Sequence, residues 1–255
     1  MTISIVNHKG GTGKTTTTIN VGSVLASLGY TVLAVDLDAQ GSLSYSLGIS
    51  DAGPTLTDAL MGDLSIHHII QKREGMDILP SNVTLADVEL AIAKAEQRFY
   101  HLKDLIAGLP AYDFILIDCA PSLSLLTLNA LAMSDSVIIP MQMDVLALRG
   151  LGSMLETIKK VNALNPSLGV LGVLPIMVDP RKNIYQEILA VIKSSYTARV
   201  FKQVIRTSVK AAEAPSFGRS VVSYAPSSTT ASDYKALTLE LLNNLEMAHS
   251  KSPGS

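Results

Sequence analysis

The chain has 255 residues, 47% of them hydrophobic, and a formal charge of −2, which suits one large α/β domain with a full core. Its single cysteine, Cys119, excludes a disulfide framework and a paired-cysteine metal cluster within one chain, and fits a reducing cytoplasm. No apolar run approaches the ~18 residues that span a bilayer and no charged leader precedes the first strand, so a soluble, unexported protein is expected.

The first predicted strand is the β-branched run Thr2 to Val6. Residues 9 to 16 then read Lys-Gly-Gly-Thr-Gly-Lys-Thr-Thr. Gly10, Gly11 and Gly13 let backbone N–H groups converge on phosphate oxygens without a Cβ in the way. Thr12 completes the loop, Lys14 supplies charge, and Thr15, followed by Thr16, can offer its hydroxyl to Mg²⁺. The helix predicted from Lys14 to Leu28 points its positive end at the same phosphates. A phosphate-binding loop and a nucleoside triphosphate ligand follow. Read strictly, the loop departs from G-x-x-x-x-G-K-[ST], because Lys9 stands where the leading glycine would be. A second lysine is useful there only if it faces anionic oxygens, its own or a partner's.

A strand over Thr31 to Val35 leads into Asp36 and Asp38. Alternation points both carboxylates toward one site, one able to reach Mg²⁺ or the loop through water and the other to position an attacking water. A short strand, Met76 to Leu79, precedes a long helix from Asn82 to Ala107, with Gly29 and Gly108 placed as C-terminal caps. The strand Tyr112 to Ile117 ends in Asp118, the arrangement of a carboxylate that supports Mg²⁺ indirectly, and Pro121 stiffens the loop beyond. Then come a helix from Leu123 to Met133, a strand from Ser136 to Pro140, a helix from Leu146 to Leu164 and a strand from Val170 to Ile176. A helix from Asn183 to Ser195, a strand from Val200 to Ile205 and a helix from Ala231 to Ala248 complete the series. Strands apolar on both faces and separated by helices indicate an α/β fold: a mostly parallel twisted sheet, helices on both faces, ligand at the carboxyl ends. One domain over residues 1–249 is expected, with 250–255 a disordered tail. From Arg181 to Arg219 there are eight lysines and arginines against two acids, a local charge of +6 that leaves −8 for the remainder. Such asymmetry suggests a basic face for phosphate backbones.

Four motifs in order, Lys9 to Thr16, Asp36-Leu37-Asp38-Ala39-Gln40-Gly41, Asp118-Cys119-Ala120-Pro121-Ser122-Leu123 and Glu213-Ala214-Pro215-Ser216, resemble the deviant Walker P-loop ATPases of the ParA/Soj/MinD group, and within it the ParA or Soj-like partition ATPases. The resemblance spans nearly the whole chain. It implies ATP and Mg²⁺ as cofactors and an ATP-dependent sandwich homodimer in which Lys9 reaches the other subunit's phosphates. Lys14 and Thr15 then hold phosphate and metal, Asp38 orients the hydrolytic water, and Asp118 supports the metal. It also implies non-specific binding of double-stranded DNA through Arg181 and Lys210, with Lys182, Arg206 and Arg219 as further candidates. A ParB-like adaptor that stimulates hydrolysis, cargo segregation and a nucleoid-associated cytoplasmic location complete the expectation. Arg206 and Ser208 match the adenine-side loop.

Three departures stand out: Ala39 and Ala120 replace the usual prolines, and Thr207-Ser208 replaces an Arg-Asn pair. The first two loosen loops that respond to nucleotide. The MinD branch would bind membrane through a C-terminal basic amphipathic helix. Here Leu237, Leu241, Leu242 and Leu245 oppose Glu240, Glu246 and two asparagines, the pattern of a core-packing helix. A P-loop metabolic ligase or kinase is the alternative from another class; it would need a substrate pocket and would not need Lys9. No winged-helix segment precedes residue 7, so sequence-specific operator binding is not expected.

Overall fold

The computed structural model describes residues 1–179, 181 and 184–249. Lys182, Asn183 and the tail 250–255 lie outside the described residues. In chain order the elements are β1 (Thr2–Ile5), α1 (Lys14–Ser27), β2 (Val32–Leu37), α2 (Ser42–Ser46), α3 (Leu56–Met61), α4 (Ile66–Ile69), β3 (Gln71–Arg73) and β4 (Met76–Leu79). These are followed by α5 (Leu85–Ile92), α6 (His101–Ile106), β5 (Phe114–Cys119), α7 (Leu125–Met133), β6 (Ser136–Gln142), α8 (Val145–Val161), β7 (Gly169–Ile176) and α9 (Ile184–Ser195). The chain closes with α10 (Val209–Glu213), a 3₁₀ turn (Ala214–Phe217), α11 (Val221–Tyr224) and α12 (Thr229–His249).

The sheet runs β3-β4-β2-β5-β1-β6-β7, every pairing parallel except β3 with β4. Side-chain alternation splits the core in two. Leu33, Val35, Ile117, Val137 and Ile139 face α5, α7, α8 and α9. Ile3, Ile5, Ala34, Leu116 and Ile138 face α1 and α12. Helices therefore cover both faces, as the doubly apolar strands demand. Leu237 and Leu241 of α12 are fully buried, each worth ~2 kcal/mol of burial, and Leu242 and Leu245 pack against the same core. The leucine stripe thus faces protein. Among the described residues no helix is long and apolar enough to cross a membrane.

Two expectations fail for visible reasons. The helix expected over 82–107 is broken between α5 and α6, because the buried side chain of Asn129 offers its carbonyl to Leu102 N (3.3 Å) and donates to Arg98 O (2.8 Å). A side chain that satisfies backbone groups at the start of α6 lowers the cost of beginning a new helix there. The strand expected over 200–205 is reduced to two isolated bridges, Val173 with Val200 and Val178 with Arg206. Lys202 N and Gln203 N donate instead to the Glu240 carboxylate (2.9 and 2.8 Å), and Arg206 N to Asp233 (3.0 Å), both acids on α12. The hairpin strand β3 and the short helices between residues 42 and 69 were not anticipated; α3 is announced by a capping box in which Thr55 N donates to Asp58 Oδ2 (2.7 Å).

Candidate functional site

The loop after β1 leaves the sheet at its carboxyl edge, beside the point where β5 separates β1 from β2. That is a topological switch point, where open α/β sheets bind ligands. Gly11 (φ 69°) and Gly13 (φ 67°) adopt left-handed conformations that disfavour a side chain. Gly13 stands at the N-terminus of the 14-residue helix α1. Gly10, Gly11, Thr12, Gly13, Lys14, Thr15 and Thr16, with Asp38, Ser42, Pro121 and Met177, line a cavity of ≈350 Å³.

Lys14 is buried at the floor of this site and its Nζ donates to Lys9 O at 3.4 Å. Burial lowers its pKa, an effect opposed by the carboxylates of Asp118 and Asp38. A cation held in low dielectric with few donors satisfied is poised for phosphate oxygens. Thr15 Oγ1 donates to Asp118 Oδ2 (2.6 Å). The other oxygen of Asp118 is buried without a hydrogen-bond partner among the described residues. Burial first, then the nearby Asp36 charge, pushes the Asp118 carboxyl well above its ordinary range. An orphaned acceptor beside a threonine hydroxyl fits a hydrated divalent cation, whose charge would offset that penalty.

Asp36 and Asp38 have different surroundings. Asp36 is fully buried, accepts from Ser44 N (2.8 Å) and Ser44 Oγ (2.7 Å), and thereby ties α2 to β2. Asp38 lines the cavity, and its Oδ1 accepts from Gln40 N (2.9 Å). Burial pushes the Asp36 carboxyl up to about 6 despite the opposing bonds from Ser44 and Asp38 N–H. A carboxyl raised on folding binds protons in the folded state from about pH 4, so its contribution to stability falls as pH rises to about 6. The elevation corresponds to about 3 kcal/mol at neutral pH. Asp36→Asn should therefore gain roughly that amount on wild type between pH 4 and pH 7, offset by a pH-independent loss of one acceptor. Urea denaturation of both proteins across that range measures it; parallel stability profiles would refute the account.

Lys9 does not line the cavity beside it. Its Nζ donates to Gln142 Oε1 (3.2 Å) and Asp144 Oδ2 (3.3 Å) at the end of β6. Asp144 also caps α8, accepting from Ala147 N (2.7 Å). A groove of ≈780 Å³ opens here, lined in part by Gln142, Asp144, Asp179, Arg181 and Arg206. On the other flank, Arg206 and Ser208 border an apolar cavity of ≈320 Å³ that shares Gly13, Thr16 and Met177 with the neighbourhood of the phosphate loop. The adenine-side expectation thus falls beside the loop. Arg206 is also held by Asp233, through Nε (3.0 Å) and Nη2 (2.6 Å). Gln142, Asp144 and Met177 had no part in the sequence reading. Asp144 was legible as a helix cap, whereas Met177, a non-glycine at φ 52° that borders all three cavities, carries no sequence signal.

Arg181 lies remote in sequence from the loop and is exposed, paired with Asp179 (2.9 Å). Lys210 is exposed and paired with Glu213 (2.8 Å). Arg219 is exposed and forms no ion pair among the described residues.

A glycine loop from the central strand into a buried helix, a buried lysine and a carboxylate ending the adjacent strand together define a P-loop nucleoside triphosphatase. An AAA domain model matches residues 1–170. The sporulation initiation inhibitor protein Soj of Bacillus subtilis is 40% identical over 248 residues, covering 95% of this chain and 98% of its own. The chromosome partitioning protein ParA of Caulobacter vibrioides is 37% identical, covering 94% and 93%. Among solved structures, cobyrinic acid a,c-diamide synthase from Mycobacterium smegmatis with bound ADP and magnesium superposes with TM-score 0.86 at 33% identity, covering 97% of this chain and 96% of that one. The septum site-determining protein MinD from Pyrococcus horikoshii, complexed with Mg-ADP, gives 0.79 at 31%, covering 98% and 100%. The chain belongs to the ParA/Soj family of P-loop ATPases and is a ParA-like positioning ATPase.

Proposed function

We propose that this protein hydrolyses ATP to ADP and phosphate in a cycle that closes it into a sandwich homodimer, binds duplex DNA non-specifically in that state, and positions a replicon or other cargo on the nucleoid through a ParB-like adaptor. The observation that carries this reading is the placement of Lys9. A cation beside a phosphate loop, turned away from its own cavity onto Gln142 and Asp144, suits phosphates presented by a second subunit. The exchange is inexpensive, because a half-exposed ion pair of this kind is worth ~0–1 kcal/mol.

ATP with Mg²⁺ is the ligand we assign. Gly10 to Thr16 and Lys14 would hold the phosphates, Thr15 the metal directly, and Asp118 and Asp38 the metal through water. When bound, the cation would neutralise charge on the phosphate oxygens. The chain's own contribution is to fix the phosphates on backbone N–H groups and Lys14, to place the Asp38 carboxylate at the water, and to bring in the partner's charge through Lys9. Arg206 and Ser208 would border the adenine. For DNA we assign Arg181, Lys210, Arg219 and Lys182. Arg206 contributes less, because the buried Asp233 already neutralises it.

The test is ATP-dependent dimerisation and duplex binding across a salt series. Wild type with ATP should dimerise and bind DNA in a salt-sensitive manner; Lys9→Ala should remain monomeric with ATP; Arg181→Glu should dimerise yet lose DNA. Wild type that stays monomeric with ATP would sink the proposal. A P-loop ligase acting on a small acid is the second reading, favoured by the polar groove beside the loop. It predicts activity that survives Lys9→Ala.

A further inference from the structure

Three consecutive elements, α10, the 3₁₀ turn and α11, display side chains that the reaction does not use. Phe217, at the end of the turn, is 61% exposed, yet its ring is stacked on Tyr224 at 4.8 Å between centroids and 21° between planes. Lys210 Nζ lies 5.7 Å from the same Tyr224 ring. Glu213 accepts from both Lys210 Nζ (2.8 Å) and Tyr224 Oη (3.1 Å), so its charge is engaged and the tyrosine is held in place. Arg219 follows two residues on. The neighbouring element adds to this surface. A Cβ on Gly218 would lie 3.2 Å from Gly48 Cα, which brings the turn against the end of α2, where Tyr45 is 70% exposed. Arg73 donates to Leu47 O there (3.2 Å). The other nearby carboxylate, Glu74, is engaged by Ser220 Oγ (2.6 Å) and Ser23 Oγ (2.9 Å).

Phe217 is fixed by the Tyr224 ring behind it, Lys210 lies over that same ring, Arg219 is exposed two residues further on, and the neighbouring Glu213 and Glu74 already have partners. Rigid apolar surface with exposed cations close by in the same segment complements a phosphate-edged groove with apolar sugar and base faces within. We propose that Phe217, backed by Tyr224, is an apolar contact to duplex DNA, seated in the minor groove against sugars and a base step while Lys210 and Arg219 engage the flanking phosphates. The inference rests on the DNA-binding reading above and adds a component that is not electrostatic. Cationic contacts set the salt dependence of binding, whereas an apolar wedge shifts affinity equally at every salt.

The two are separable in one titration. Full-length wild type, Phe217→Ala, Phe217→Leu and Arg219→Ala are each loaded with AMPPNP and Mg²⁺ and titrated onto a fluorescent random-sequence duplex at several salt concentrations. Phe217→Ala should bind about tenfold more weakly at all of them with the slope of log K against log salt unchanged. Arg219→Ala should flatten that slope by about 1 for each phosphate left without its cation. Phe217→Leu, which keeps apolar bulk, should recover most of the loss. Light scattering on the same samples reports nucleotide-dependent dimerisation and so the integrity of the variants. Wild-type binding matched by Phe217→Ala within twofold at every salt would overturn the inference and leave the DNA reading intact. So would a Phe217→Ala protein that holds DNA normally but no longer responds to an adaptor, which would mark the ring as a protein contact. Absence of duplex binding by dimeric wild type at low salt would remove both.

Discussion

Lys14→Ala should sharply weaken the nucleotide-dependent behaviour of this protein without weakening the nucleotide-free fold. Burial lowers the Lys14 pKa more than Asp118, Asp38 and Cys119 raise it. The charged form is therefore disfavoured in the folded state relative to the unfolded chain, and removing it at neutral pH relieves a penalty. With ligand the sign reverses. A charged hydrogen bond to phosphate is worth ~1.5–3 kcal/mol, so the variant should lose at least tenfold in affinity from this interaction alone. At a ligand concentration 100 times Kd, wild type should gain about 2.7 kcal/mol, which for a domain of this size is roughly 5–10 °C in Tm. The variant should show a nucleotide-free Tm at or above that of wild type and a rise with ATP and Mg²⁺ cut to about half or less. A nucleotide-free Tm several degrees lower would mean that Lys14 is a structural partner of the buried carboxylates.

Asp38→Ala should slow hydrolysis by ~10² to 10⁴ while leaving ATP binding in place, the usual contribution of a group that positions or activates water. Residue Asp38 lines the phosphate cavity, and among the described residues only one of its carboxylate oxygens is taken, by Gln40 N. The turn itself is held by backbone bonds, Gly41 N to Asp38 O (2.8 Å) and Ser81 Oγ to Asp38 O (2.6 Å), which survive the substitution. The variant should therefore accumulate as a long-lived ATP dimer, with slower phosphate release and prolonged residence on DNA. Single-turnover hydrolysis and dimer lifetime measure both. A variant that is monomeric with ATP would assign Asp38 to assembly instead.

The parallel sheet was legible because its strands are apolar on both faces, and the phosphate loop because its glycines and lysines recur at a spacing that chemistry fixes. Asp118 was legible as a carboxylate supporting the metal; its hydrogen bond with Thr15 comes from the pairing of β5 with β1, which the sequence reading did not assign. What could not be read depends on partners distant in sequence. Nothing between residues 93 and 102 reveals that Asn129, from another element, will bond Arg98 O and Leu102 N where α6 begins. Val200 to Ile205 has the composition of a strand, and Phe201 N and Ile205 N reach β7, yet Glu240 takes the Gln203 amide between them. Alternation placed Asp36 and Asp38 on one side of the chain but could not tell that Ser44 would claim Asp36. Charge counting found a basic segment from 181 to 219; it could not show that Arg206 is neutralised by Asp233 across 27 residues of sequence.

The attachment of residues 202–206 to α12 has a thermodynamic consequence. Asp233 holds Arg206 through its backbone and its guanidinium, and Glu240 holds Lys202 and Gln203, so the loop bordering the apolar cavity cannot move without loosening the last helix. A base seated in that cavity would slow amide exchange along α12, well beyond its own contacts. Conversely, trimming or fusing cargo onto this helix would be felt as weaker nucleotide affinity, because two segments that share hydrogen bonds share their opening equilibria.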